Sequence, residues 1–419
     1  MAAVTRANRP PRSVLVVGAG LVGLCTAWHL RARGVEVTVL DRHRAGTGAS
    51  WGNAGWLSPA FAVPLPEPAT VRAGLKGFAS PSAPLYVPAR PDPRLARFLA
   101  TFALRSTHRR WRAAMAALVP LNLRALAEHD ALAAETGAVS LPMEPCLVAA
   151  GSEAQREAVV TELEHVRAAG QPVDVAPVDG RRVRELWPSL SERIACGLAV
   201  HGQRYVDPGG YVTAVADAAR RAGVRIEEGT EVTAVRERGD GVRVHAGGAE
   251  FGADAVVLAS GALLNRLARP FGVRRLVQAG RGYSFSVVPE RMPPGPVYFP
   301  ARKVVCTPLG DRLRVAGMME FRSADAPLDP RRVASIVAAV RPLVAGVDWA
   351  ARTDEWVGAR PVTSDGLPLI GPTLSPRVFV AGGHGMWGVT HGPVTGRLLA
   401  DTIVTGTPAP ELAALHPLR

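Results

Sequence analysis

The chain has 419 residues, 47% of them hydrophobic, and a formal net charge of +13; that is long enough for two domains and excludes a disordered or fibrous protein. The charge raises nucleic acid or acidic membranes as partners, but arginine is scattered among alanine and proline, and no basic run is interleaved with aromatics, so no nucleic-acid groove is expected. Cys25, Cys146, Cys196 and Cys306 lie far apart with no CxxC pair, so neither a metal site nor a disulfide framework is expected, and a reducing cytoplasm is the simplest setting.

Arg6, Arg9 and Arg12 precede an uncharged run from Ser13 to Trp28 that has the outline of a signal peptide or short anchor. The run falls short of the ~18–20 residues a spanning helix needs. Glycines also interrupt it at a spacing with another purpose. Val14 to Val17 read as a strand, Gly18-Ala19-Gly20-Leu21-Val22-Gly23 as a GxGxxG turn, and Leu21 to Arg33 as a helix. Val35 to Leu40 read as a second strand tipped by Asp41. In a dinucleotide-binding βαβ unit the first glycine makes the tight turn, the second admits a pyrophosphate, and the third lets helix and strand pack. The helix N-terminus offers N–H groups to the phosphates, and the acid can accept from an adenosine ribose.

Ser50-Trp51-Gly52-Asn53-Ala54-Gly55 follows, a loop of small residues in which Ser50 and Asn53 can hydrogen-bond a cofactor; an ordinary glycine loop is the equal alternative. The Ala/Pro-rich stretch from Pro59 to Pro93 reads as a long surface excursion with little regular structure. Arg94 to Glu135 is helical in period, with Leu95, Phe98, Leu99 and Phe102 on one face. His108, Arg109, Arg110 and Arg112 form a basic cluster there, read as a solvated face with peripheral membrane association as the alternative. A strand over Cys146–Ala149 and a helix over Glu153–Ala169 come next.

Asp207-Pro208 starts a helix reaching Ala222, and Val224–Glu228 and Glu231–Arg236 alternate like strands, the second entering a hairpin at Gly239-Asp240-Gly241. Ala255 to Gly261 reads as a buried strand ending in small residues. Tyr283–Val288, Lys303–Pro308 and Leu313–Met318 are short antiparallel-type strands, and Arg331–Leu343 is an amphipathic helix. A strand at Val378–Ala381 then leads through a glycine-rich turn into a helix from Thr390 to Thr405. The pattern predicts one α/β sheet assembled from separated segments, with a mixed α+β domain inserted between them.

Two further segments carry chemistry. In Gly358-Ala359-Arg360-Pro361, followed by Asp365-Gly366, Pro368 and Gly371, the prolines stiffen the chain and hold the Arg360 guanidinium in place. A fixed planar fork suits a carboxylate bidentately; the alternative is a structural arginine paired with an acid such as Asp365. In Gly383-His384-Gly385-Met386-Trp387-Gly388-Val389-Thr390, glycines at a strand-to-helix turn suggest backbone wrapped against a flat ligand, with the helix dipole behind it. A lone histidine such as His384 is more often structural than catalytic.

Taken together, these motifs resemble the FAD-dependent D-amino-acid oxidase superfamily, and within it most nearly the D-amino-acid dehydrogenases of the small-subunit type. The resemblance also draws on Arg281-Gly282-Tyr283-Ser284 and runs in family order from about Ser13 to Thr405. It implies an α/β FAD-binding domain, Rossmann-like and of glutathione-reductase type, from residues 12–60, 207–265 and 356–405. An α+β substrate domain with a mixed or antiparallel sheet would come from 61–206 and 266–355, with tails at 1–11 and 406–419.

The resemblance further implies FAD with its pyrophosphate over Gly18 to Gly23, its adenosine on Asp41 and Arg42, and its adenine beside Val232. Ser260 and Gly261 join the cofactor set, while Ser50 to Gly55 (Ser50, Asn53, Ala54, Gly55) and Gly383 to Thr390 border the flavin ring. Arg360 matches the family arginine that clamps a substrate carboxylate, Tyr283 the pocket tyrosine, and His384 completes the substrate side. Relatives that attach flavin covalently carry a cysteine near Gly358 or a histidine near Gly52; glycine at both implies noncovalent FAD. The implied reaction is oxidative deamination of a D-amino acid, with electrons passed to a quinone or other carrier, in the cytoplasm or at the inner face of the membrane. A glycine- or sarcosine-type oxidase using oxygen, and a nicotinamide-dependent dehydrogenase, are the alternatives.

Overall fold

Residues 10–89 and 91–419 are described by the computed structural model; Arg6 and Arg9 of the leading arginine series lie outside the described residues. Valine-rich segments buried on both faces assemble into a six-stranded sheet, in the order Arg225–Glu227, Glu36–Leu40, Ser13–Val17, Ala255–Leu258, Val378–Gly382 and Leu369–Pro372. All pairs are parallel except the last. Continuous apolar runs are what such doubly covered strands require, and each fully buried valine contributes about 1.5–3 kcal/mol.

Val14, Val16, Val37, Val39 and Val257 pack with the helices Leu21–Ala32, Pro208–Arg221 and Gly388–Thr405. Leu15, Val17, Val256 and Leu258 pack on the other face, under an antiparallel meander of Val232–Arg238, Gly241–Ala246 and Ala249–Ala253. Cys25 sits where the first and last helices touch: a methyl on Gly396 would lie 2.6 Å from the Cys25 backbone. All four cysteines are buried and free.

The second sheet has nine strands. Its path is Thr353–Thr363, Val277–Val287, Arg312–Phe321, Val304–Leu309, Val297–Phe299, Cys146–Ala150, Cys196–Val200 and Val175–Asp179, with Leu85–Tyr86 added beside Arg312–Phe321. It is mixed: Val297–Phe299 runs parallel to Cys146–Ala150, and most other pairs are antiparallel. Helix Pro330–Val340 covers its core of Phe285, Val315, Val333 and Ile336.

Several sequence expectations are corrected. The Pro59–Pro93 stretch holds a helix, Pro68–Lys76, and the short strand Leu85–Tyr86, and it buries Ala60, Tyr86 and Val87. The helical run from Arg94 is two helices, Pro93–Arg105 and His108–Thr136, because Thr107 caps the second by accepting from the Arg110 N–H. The proline-stiffened segment around Arg360, to which the sequence reading assigned no element, is a strand; at the edge of its sheet Pro361 removes no needed donor. Residues 406–419, expected as a tail, are packed: Leu412 and Leu415 are buried, and Arg419 reaches Asp365. Among the described residues no helix is long and apolar enough to cross a membrane.

Candidate functional site

The first strand's end and the first helix's start build one half of a cleft of about 460 Å³. Gly18 has φ +113°, and a methyl there would lie 2.5 Å from the Ala259 carbonyl oxygen. One on Gly23 would lie 2.0 Å from the Gly18 carbonyl oxygen. These two glycines are demanded by backbone packing. Gly20 is different: the nearest atom to its missing methyl is Ser50 Oγ at 3.5 Å, and the remaining space opens on the cleft. Gly20 heads the helix without a side-chain cap of its own, and Ser50 Oγ accepts from Leu21 N–H at 3.1 Å instead.

Asp41 is committed on one side. Its Oδ2 accepts from Ala19 N–H at 2.7 Å and its Oδ1 from His43 N–H at 2.8 Å, which ties the strand tip to the glycine turn and keeps the carboxylate on the cleft. Arg42 pairs with Asp325 at 2.7 Å, joining the nucleotide-side wall to the segment after Arg312–Phe321. Both residues line the cleft, with Val232, Ser260 and Gly261 along its other wall. An open glycine at a helix N-terminus, facing an acid at the neighbouring strand's tip, fits a dinucleotide.

The other half comes from the paired strands Val277–Val287 and Thr353–Thr363. Gly280 stands opposite Arg360, Gly282 opposite Gly358, and Ser284 opposite Trp356, so these six share one face. The glycines leave that face bare for two large groups. The Trp356 indole lies over Gly358 and Gly52, whose missing methyls would be 2.0 and 2.3 Å from it. The Arg360 guanidinium lies over Gly282, whose missing methyl would be 2.1 Å from Nη2.

Arg360 Nη1 donates to the Met318 carbonyl at 3.1 Å. No acid among the described residues pairs with Arg360. Asp365 is held by Arg419 at 3.1 Å and Arg275 at 3.2 Å, so it is not the partner of Arg360. Burial lowers the Arg360 pKa to about 10, which still leaves it charged near neutrality.

The glycine turn docks on the same strand, since Gly385 N–H donates to the Pro361 carbonyl at 2.9 Å. His384 is buried against Thr395, with Nε2 3.0 Å from Oγ1, and burial lowers its pKa to about 4. It is therefore a neutral wall of the cleft at ordinary pH. Behind it, His391 Nε2 lies 2.7 Å from Asn122 Oδ1, and His129 lies 2.7 Å from the Tyr211 hydroxyl and 3.1 Å from the Val389 carbonyl. This buried polar set fixes the start of helix Gly388–Thr405.

Of the residues expected at a site, Gly18, Gly20, Leu21, Val22, Gly23, Asp41, Arg42, Ser50, Asn53, Val232, Ser260, Gly261, Arg360, His384, Gly385, Gly388 and Val389 line the cleft. Asn53 also braces its own loop, donating to the Ser50 carbonyl and accepting from Gly55 N–H. Others act behind the wall. Ala19 gives its N–H to Asp41, and the Ala54 carbonyl accepts from Thr307. Gly55 packs on Val206, Gly383 on Thr363, and the Thr390 hydroxyl donates to the Trp56 carbonyl.

Tyr283 is a correction. Strand alternation sends it to the face opposite Arg360, where it is 1% exposed and donates to Glu320 Oε1 at 2.7 Å; Arg281 meets the same carboxylate at 2.9 Å. The reading also missed Trp356, Met318 and Asp325. Trp356 was legible in principle: Trp356-x-Gly358-x-Arg360 has the period of a strand, which puts all three on one face.

Known proteins resemble this chain along nearly its whole length. A family model described as FAD dependent oxidoreductase matches residues 13–402. A D-amino acid dehydrogenase from Cereibacter sphaeroides is 33% identical over 411 residues, covering 96% of this chain and 94% of the relative. One from Xanthobacter autotrophicus is 33% identical over 411 residues, covering 95% and 96%. Among solved structures, glycine oxidase from Geobacillus kaustophilus superposes with a TM-score of 0.76 at 24% identity, covering 98% of this chain and 99% of that one. The L-alpha-glycerophosphate oxidase from Mycoplasma pneumoniae, solved with FAD bound, gives 0.70 at 18% identity and 94% coverage of each; at these identities the likeness is one of fold.

Proposed function

The chain belongs to the family of FAD-dependent oxidoreductases, and from that premise we propose that it oxidatively deaminates D-amino acids to 2-oxo acids and ammonia, handing the electrons to a quinone or other carrier. The observation that carries this reading is Arg360, a cleft-facing guanidinium with no acid partner among the described residues. Relatives covering nearly the whole chain and named D-amino acid dehydrogenase support the substrate class. A nicotinamide cofactor loses its place to FAD with the family.

FAD, when bound, supplies a two-electron acceptor for a hydride. Gly20 and the N-terminus of helix Leu21–Ala32 would hold the pyrophosphate, with Asp41 and Val232 at the adenosine. The Ser50–Gly55 loop and the Gly383–Thr390 turn would border the ring. Arg360 binds the substrate carboxylate through the N–H groups not given to Met318, and that fixes where the Cα–H points. Orientation of this kind replaces a dedicated base once the amine is neutral. His384, uncharged, adds no cation to repel the ammonium group of an incoming substrate, and the positive end of helix Gly388–Thr405 gives the cleft a favourable potential for incoming electron density.

The test is an anaerobic panel of D- and L-amino acids, proline derivatives and sarcosine, followed by flavin bleaching, then re-run with an artificial acceptor and with oxygen. An FAD-loaded enzyme that no D-amino acid bleaches overturns the substrate. Peroxide formation in preference to dye reduction overturns the acceptor.

A further inference from the structure

Between the strands Val277–Val287 and Arg312–Phe321 the register slips at the site. Arg281 stands opposite Glu320, but Tyr283 stands opposite Gly317, so Met318 and Met319 together face Gly282 alone. This is a β-bulge, one extra residue on one strand. Its first residue, Met318, has φ +59°, a left-handed conformation for which glycine is the default. A methionine held there is strained, and such strain persists only when the surroundings over-determine it. Here they do: the Met318 side chain is 5% exposed in the core of the nine-stranded sheet, and its N–H donates to the Lys303 carbonyl at 3.1 Å.

The conformation has one consequence inside the cleft, because the carbonyl accepts from Arg360 Nη1 at 3.1 Å. A neutral carbonyl orients a guanidinium without cancelling its charge, as a carboxylate would. With Gly282 beneath the plane and one of the five guanidinium donors given to Met318, no other hydrogen bond of Arg360 is found among the described residues, and the residue lines the cleft with donors to spare. From this geometry we infer that Met318, through its backbone and not its side chain, is the positioning residue that aims Arg360 at the substrate carboxylate. The inference rests on the reading of Arg360 as the carboxylate clamp.

The experiment measures binding of pyruvate to the FAD-loaded enzyme by the shift in flavin absorbance, with uncharged pyruvamide as control, alongside FAD content and melting temperature. A β-branched residue resists a positive φ, so Met318→Val withdraws the carbonyl; the pyruvate Kd rises about tenfold or more, one oriented charge-assisted contact being lost. Met318→Gly adopts the conformation freely and keeps the Kd within about threefold of the parent. In an Arg360→Lys background, which has no planar fork to aim, Met318→Val adds nothing. If Met318→Val does not fold, Met318→Ala, strained but unbranched, takes its place against Met318→Gly.

Equal pyruvate affinity in Met318→Val (or its Ala substitute) and the parent overturns the inference. So does a Met318→Gly enzyme as weakened as the valine variant, which assigns the effect to the lost side chain. Undiminished pyruvate binding by Arg360→Ala is the separate result that overturns the clamp itself.

Discussion

Arg419, the last residue of the chain, grips Asp365 from Nε at 3.1 Å and from Nη2 at 3.2 Å. The contact engages the acid five positions after Arg360 and pins the turn between Thr353–Thr363 and Leu369–Pro372. The pair is largely buried, and Arg275 shares it.

Arg419→Ala is expected to cost about 1–3 kcal/mol at neutral pH, the range for leaving a buried charged group short of its partner, as read by chemical denaturation. Burial alone would raise the Asp365 pKa, but the guanidiniums of Arg419 and Arg275 outweigh it and hold the carboxyl below its ordinary value. A depressed carboxyl stabilises the fold above its unfolded pKa of about 4 and loses that contribution as pH falls through the folded value. The gap between parent and variant therefore closes below about pH 4. A gap that stays constant down to pH 3 contradicts the assignment.

Arg360→Ala should leave a yellow, folded protein whose KM for its amino acid rises by about a hundredfold or more, since two charge-assisted hydrogen bonds are lost. Arg360→Lys keeps the charge but not the fork, and falls between. Steady-state kinetics beside a flavin spectrum decide it: normal turnover by the alanine variant refutes the assignment.

Burial lowers the pKa of His384 and His129 to about 4 and that of His391 to about 3. The unfolded chain takes up protons near pH 6.5 while the folded chain does not, so stability is complete above that pH and declines as pH falls towards 4. Between pH 7 and 5 each such histidine removes about 2 kcal/mol. The melting temperature should drop steeply over that interval, and His391→Gln should flatten the slope by about one proton's worth. An unchanged slope in that variant counts against a neutral buried His391.

Gly20 and Gly23 are expected to fail in different ways when changed to alanine. At Gly23 the new methyl meets backbone at 2.0 Å, so the apoprotein itself is destabilised, by roughly 2 kcal/mol or more. At Gly20 it meets only Ser50 Oγ at 3.5 Å; the fold tolerates it, but the methyl occupies the place of the pyrophosphate and FAD affinity falls. Melting curves with and without added FAD separate the two. Equal losses of apoprotein stability at both positions would contradict the division.

The nucleotide half of the site was legible because its contacts are local. Gly18, Gly20, Gly23 and Asp41 fall within one βαβ unit, where spacing along the chain determines spacing in the fold. The substrate half was legible only as residue types. Arg360 stood out beside its proline, but that Asp365 pairs with Arg419 and Arg275 instead was decided by residues far away in the chain. Tyr283 was expected in the cleft because the family resemblance places a pocket tyrosine there; the pairing of its strand with Thr353–Thr363 sets it opposite Val357, on the face away from Arg360.

By itself the sequence determined the family, the cofactor class and the candidate arginine, all of which follow from residue identities at short range. Only the tertiary structure decided which face of the second sheet lines the cleft and what holds each charge there. Strand register has a period of two, so a one-residue slip reverses every side chain on it, and no local pattern around Arg312–Phe321 records where that slip occurs.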